Sequence, residues 1–337
     1  MNKATQLQIT KTPKWQYILL IVLFVLIGLS IWAIFNIQKI RDWYILANYK
    51  PPLSISQIAS YDTMTPYAKR LFYVNKPQLD NKTTFSSVCP NGTEQTYVLG
   101  CYHTGDNGIF LLDVHVAALN GLDQVTAAYE MLHAGYARLS NSSRTTIDQR
   151  MWNFYVHQVT NQEIKRQMAA YEATEPGAKY DELYSVLATE VTNLPTAINN
   201  QYKIYFYNRA KIVATYNKYQ AAFISRENQI KQDDITLASL KKTIALNESK
   251  LNLEQKNLNN YLSTINPNGS KINPSLYNQE INQYNSLINS YNSLITQTRS
   301  EINNYNSIVD SRNSLALEEQ QLISAISSKP SKAALKK

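Results

Sequence analysis

Histidine is scarce in this chain: four residues, at positions 103, 115, 133 and 157, among 337. His103, His115 and His157 have no ligand spacing between them, which excludes a metal site built from paired imidazoles on one element. Cysteine is scarcer still. Cys89 and Cys101 are the only two, so the chain can form at most one bridge. In an oxidising exterior they are expected to pair across a turn-rich stretch, which is worth about 3 kcal/mol in the chain-entropy view; the alternative is two free thiols. Basic residues outnumber acidic ones, 33 to 25, yet they are spread along the chain with no compact stripe interleaved with aromatics. Nucleic acid is therefore not an expected partner.

Charge is absent altogether from residues 15–38, and residues 17–35 are almost continuously aliphatic or aromatic. Roughly 20 such residues, at 1.5 Å each, cross a hydrocarbon layer of about 30 Å, so this segment reads as a transmembrane helix. Trp15, Tyr17 and Trp32 suit its interfaces. No convincing small-x-small cleavage site follows, which favours an uncleaved signal-anchor. Lys3, Lys11 and Lys14 precede it without an acid, whereas Lys39, Arg41 and Lys50 follow it offset by Asp42. The expected topology is a cytoplasmic N-terminus (1–14), a plasma-membrane span (15–38), a linker (39–52) and an extracytoplasmic remainder.

Between 53 and 220 the pattern is mainly helical. A helix is expected at 63–73, where a threonine precedes Pro66. Residues 108–116 are β-branched and apolar enough for one strand, and helices are expected at 121–140, 147–172 and 181–191. Inside the helix expected at 121–140 lies Tyr129-Glu130-Met131-Leu132-His133. This is a His-Glu-x-x-His zinc helix with a phenol in place of its first imidazole. In the intact pattern two imidazoles one turn apart bind zinc and the glutamate polarises its water. A tyrosine, whose usual pKa is about 10, presents no free anion at neutral pH.

Three motifs now line up: Gly100-Cys-Tyr-His103, the helix motif extended through Ala134, and Glu182-Leu-Tyr-Ser-Val-Leu-Ala-Thr-Glu190. In order and spacing this resembles membrane-anchored bacterial zincin-like proteins of the gluzincin type, over residues 58–219. In that group a Gly-Cys-Tyr-His segment and a strand precede a His-Glu-Met-Leu-His-Ala helix and then Glu-Leu-His-Ser-x-x-Gly-Thr-Glu. The resemblance implies Glu130 as catalytic base, His133, Glu190 and the position of Tyr129 as metal ligands, and Glu182 and Tyr184 as supporting residues. Tyr129 and Tyr184 both replace histidines of the group. His133 and one carboxylate leave two ligands where catalytic zinc sites use three.

Beyond residue 209 glycine all but vanishes, with only Gly269 remaining. Ile230, Leu237, Ile244, Leu251, Leu258 and Ile265 recur every seven residues, and Ile281, Ile288, Ile295, Ile302 and Val309 do the same. A Pro/Gly/Asn-rich turn at 266–275 separates the two runs, so an antiparallel coiled-coil hairpin is expected, each arm roughly 75 Å long. The fold class read from the sequence is α+β, mainly α: a transmembrane helix, a zincin-like mostly helical domain with a small sheet (53–220), a coiled-coil hairpin (221–328) and a basic tail (329–337). The expected function is that of a cofactor-free pseudo-metalloprotease held at the cell surface, binding a protein or cell-wall polymer. The alternative is an active zinc metallopeptidase with a Tyr/His/Glu site.

Overall fold

The structure, a computed structural model, describes residues 14–89, 97–104, 108–174, 177–265 and 273–327. Most of the N-terminus, residues 266–272 of the expected turn and the basic tail lie outside the described residues. The chain is mostly helical, with one three-stranded sheet and one apolar N-terminal helix.

That apolar helix, α1 (Lys14–Asn48), is long and apolar enough to cross a membrane. It does not stop at residue 38. No proline interrupts it until Pro51 and Pro52, so residues 39–48 of the expected linker continue the helix. Helices α2 (Leu53–Tyr61) and α3 (Pro66–Val74) follow. At the start of α3 the Thr65 side chain accepts from the Ala68 amide and Pro66 occupies the first turn, as the Thr-Pro signal predicts. The next helix is α4 (Lys82–Val88), capped by Asn81, whose side chain accepts from the amides of Thr83 and Thr84.

The sheet has the order β1 (Gln78–Asp80), β3 (Gly108–Leu112), β2 (Gly100–His103). Strand β3 pairs parallel with β1 and antiparallel with β2. All five β3 residues are buried, which explains the poor alternation of this run: a central strand covered on both faces needs no polar side. The strand is shorter than the nine residues expected. At its entry Gly108 has φ +99°, and a Cβ there would lie 2.6 Å from the Asn75 carbonyl oxygen, so only glycine fits.

Five shorter helices come next: α5 (Leu122–Ala137), α6 (Asn141–Gln158), α7 (Gln162–Thr174), α8 (Lys179–Thr189) and α9 (Thr196–Tyr202). The single helix expected at 147–172 is two. Val159 is buried in an extended conformation, and the Asn161 side chain then accepts from the Glu163 amide to start α7. Tyrosines fill much of the core: Tyr184, Tyr202 and Tyr205 are among its largest fully buried side chains. Gly135 of α5 faces this cluster, and a Cβ there would lie 2.8 Å from the Tyr205 ring.

The described residues fall into two compact units, one of residues 1–90, 100–112 and 124–212, the other of 91–99, 113–123 and 213–337. Most of the second consists of α10 (Arg209–Ile265) and α11 (Pro274–Ile326). Within it, Arg226 meets Glu318, Asp234 meets Arg312, Asn247 donates to Glu301 and Tyr261 donates to Gln283, so partners on the two helices run in opposite directions. The least exposed positions of α10 recur at alternating spacings of three and four, as at Ile230, Asp233, Leu237 and Leu240.

Candidate functional site

Helix α5 places Tyr129 and His133 four residues apart on one face, their rings 5.1 Å apart and edge-on. Helix α8 brings Asp181 and Glu182 to them from its first turn, where the helix dipole favours carboxylates. The Tyr129 hydroxyl donates to Glu182 Oε2 at 2.5 Å. His133 Nδ1 stands 2.8 Å from Asp181 Oδ1, and its Nε2 stands 3.7 Å from Glu182 Oε1. Both faces of the imidazole therefore meet acids.

Burial alone would lower the His133 pKa. The hydrogen bond and charge of Asp181, joined by the charges of Glu182 and Glu130, outweigh it and raise the value to about 10. The acids around the ring favour its imidazolium form, with a proton on each nitrogen, at neutral pH. Burial and the Glu182 carboxylate together push Tyr129 well above its ordinary value, so it stays a neutral phenol. Tyr171 lies within hydrogen-bonding reach of Tyr129 and of Gln167, and Gln167 Nε2 donates to Glu190 Oε1 at 3.0 Å. The polar chain thus runs from Asp181 through His133, Glu182, Tyr129, Tyr171 and Gln167 to Glu190.

The carboxylate hydrogen-bonded within the Tyr129/His133 pair is Glu182, while Glu190 bonds to Gln167. Tyr184 stands apart from these groups. Its hydroxyl donates to Tyr205 at 3.1 Å and accepts from Gln201, within the tyrosine core. Glu130 is buried under strand β2: a Cβ on Gly100 would lie 2.7 Å from its Cγ. That strand is tied down by the Cys89–Cys101 disulfide, which joins it to the end of α4. Of the remaining histidines, His103 lies near Cys101 Sγ and Phe110, His115 is exposed beside Asp113, and His157 is exposed in the last turn of α6.

No family model, curated protein or solved structure matches this chain.

The motif implies a zinc ion. Two groups of ligand type converge, His133 Nε2 and Glu182, one short of the usual three. The third position holds a neutral phenol that donates a hydrogen bond to Glu182. Among the described residues no group of three or more His, Cys, Asp or Glu is arranged to hold a metal ion. These groups bond to one another: His133 lies between Asp181 and Glu182, with phenols and an amide extending the network.

Sequence reasoning missed four residues here. Asp181 had a visible signal, an acid adjoining Glu182 in a first helical turn. Tyr171 and Gln167 had none. Arg209 was passed over as part of an aromatic stretch, yet its guanidinium donates to the carbonyls of Leu187, Ala188, Val191 and Thr192, closing the C-terminal end of α8.

Proposed function

We propose that this protein is a membrane-anchored, extracytoplasmic pseudo-metalloprotease, a zincin-like domain that binds or scaffolds rather than hydrolyses. The observation that carries the reading is that Tyr129 is hydrogen-bonded to Glu182 and His133 to Asp181, with His133 Nε2 3.7 Å from Glu182, so that a phenol stands where the motif requires a metal-binding imidazole. The apolar helix α1 supports the anchor, and the disulfide supports an oxidising compartment. Opposed contacts between α10 and α11, with seam positions at spacings of three and four, support a coiled-coil arm as a second binding surface. A protein or a cell-wall polymer is the partner class in this reading.

A metallopeptidase with a Tyr/His/Glu site is the second reading. Its support is the orientation of His133, whose Nδ1 meets Asp181 while Nε2 turns towards Glu182, as a metal-binding imidazole backed by a carboxylate would be turned. Full-length protein purified in detergent without added metal distinguishes the two. The pseudoenzyme is expected to carry zinc far below one equivalent, and Tyr129→His is expected to raise its zinc affinity. One zinc per chain in the wild type, with a peptidase activity abolished by Glu130→Gln, would establish the enzyme instead.

A further inference from the structure

Helix α1 carries a carboxylate that is bound by side chains of other helices. Asp42 is buried, at 4 % exposure. Arg138, the residue after α5, grips both of its oxygens, Nη1 to Oδ2 at 2.6 Å and Nη2 to Oδ1 at 3.0 Å. Arg70 of α3 stands 3.7 Å from Oδ2, and Gln38 donates to Oδ1 at 3.0 Å. Just past the helix, the Tyr49 hydroxyl donates to the Pro77 carbonyl and its ring meets Tyr73. A bidentate guanidinium on a buried carboxylate fixes angle as well as position. The anchor is thus clamped to the unit that bears the Tyr129 cluster.

Elsewhere on the same turn, Lys39, Trp43 and Tyr44 are exposed, the two aromatics at 68 % and 65 %. If about 20 residues from Tyr17 fill the hydrocarbon, Trp43 and Tyr44 stand roughly 10–12 Å past its edge, a few Å beyond a headgroup layer of about 5–8 Å, and a helix tilt of about 20° lowers them to its outer margin. Indole and phenol rings favour that level, and a lysine there faces lipid phosphates.

We propose that the unit bearing the Tyr129 cluster is apposed to the phospholipid headgroup layer, held there by the Asp42–Arg138–Arg70 clamp with Trp43 and Tyr44 at the interface. This rests on reading α1 as a membrane anchor. Along α5, Tyr129 is nine residues from Arg138, so the cluster lies within roughly 30 Å of the hydrocarbon edge.

The test uses the full chain in phosphatidylcholine vesicles, labelled with a fluorophore at Ser142→Cys, an exposed position near Arg138, with energy-transfer acceptors on the lipid headgroups. Efficient transfer in the wild-type background, falling when Asp42→Ala is added, is the expected result. Low transfer from protein that resists alkaline extraction would overturn the apposition while leaving the anchor intact, as would high transfer unchanged by Asp42→Ala. Release of the chain by alkali would overturn the anchor reading itself. Should Asp42→Ala lose the fold, the wild-type transfer efficiency decides.

Discussion

His133 is the residue on which the site turns, because its proton is what separates an internal ion pair from a metal ligand. Its pKa rises from 6.5 to about 10 on folding, so the folded chain keeps a proton that the unfolded chain has lost between those values. The stabilisation is fully present below about pH 6.5 and disappears as the pH climbs through about 10, with a slope of at most about 1.4 kcal/mol per pH unit. Denaturant unfolding between pH 7 and 9 should show stability falling in the wild type, and the fall should be absent in His133→Gln. A flat profile in the wild type would mean that the ring is neutral. The pairing of Tyr129 with His133 was legible in the sequence, since four residues on a helix bring two side chains to one face. Their acidic partners are 48 and 53 residues away and depend on how α8 docks, which no local pattern encodes.

At the level of elements, α8 is the piece that must be held in place. Its first turn supplies Asp181 and Glu182, and its last turn ends on carbonyls that find their donors in one guanidinium. Arg209→Gln is expected to cost about 2–3 kcal/mol, since several charged hydrogen bonds are lost and buried carbonyls are left without donors. Unfolding measurements should show that loss, and amide exchange at residues 186–190 should accelerate. A cost below about 0.5 kcal/mol would show that solvent replaces the guanidinium freely. Helices with strong periodicity or clear caps, such as α3 and α5, could be read from the sequence. Strands β1 and β2 could not, because three or four residues are too few to show alternation and their pairing with β3 is set by tertiary contact. The division between α6 and α7 was hidden for a related reason. It depends on burying Val159, a β-branched residue comfortable in extended backbone, with Asn161 at hand to restart the helix.

For the whole molecule, the sequence was informative about the apolar N-terminal helix, the disulfide and the long helices, and uninformative about partners. A charge-free run of 24 residues reads directly as a span, but its rigid continuation through Asn48 is visible only when Asp42 is seen buried against Arg138. Likewise the heptads announce two long helices, whereas the polar residues inside their seam, Asp233, Asn247 and Thr298, emerge only from burial. The proposed scaffold role assumes a closed site between α5 and α8. Nitrogen-detected NMR of the His133 ring at pH 8, in metal-free protein and after adding one equivalent of zinc, tests that assumption most directly. Two protonated ring nitrogens, unmoved by zinc, are predicted. A neutral ring whose Nε2 resonance shifts on zinc addition would contradict the account.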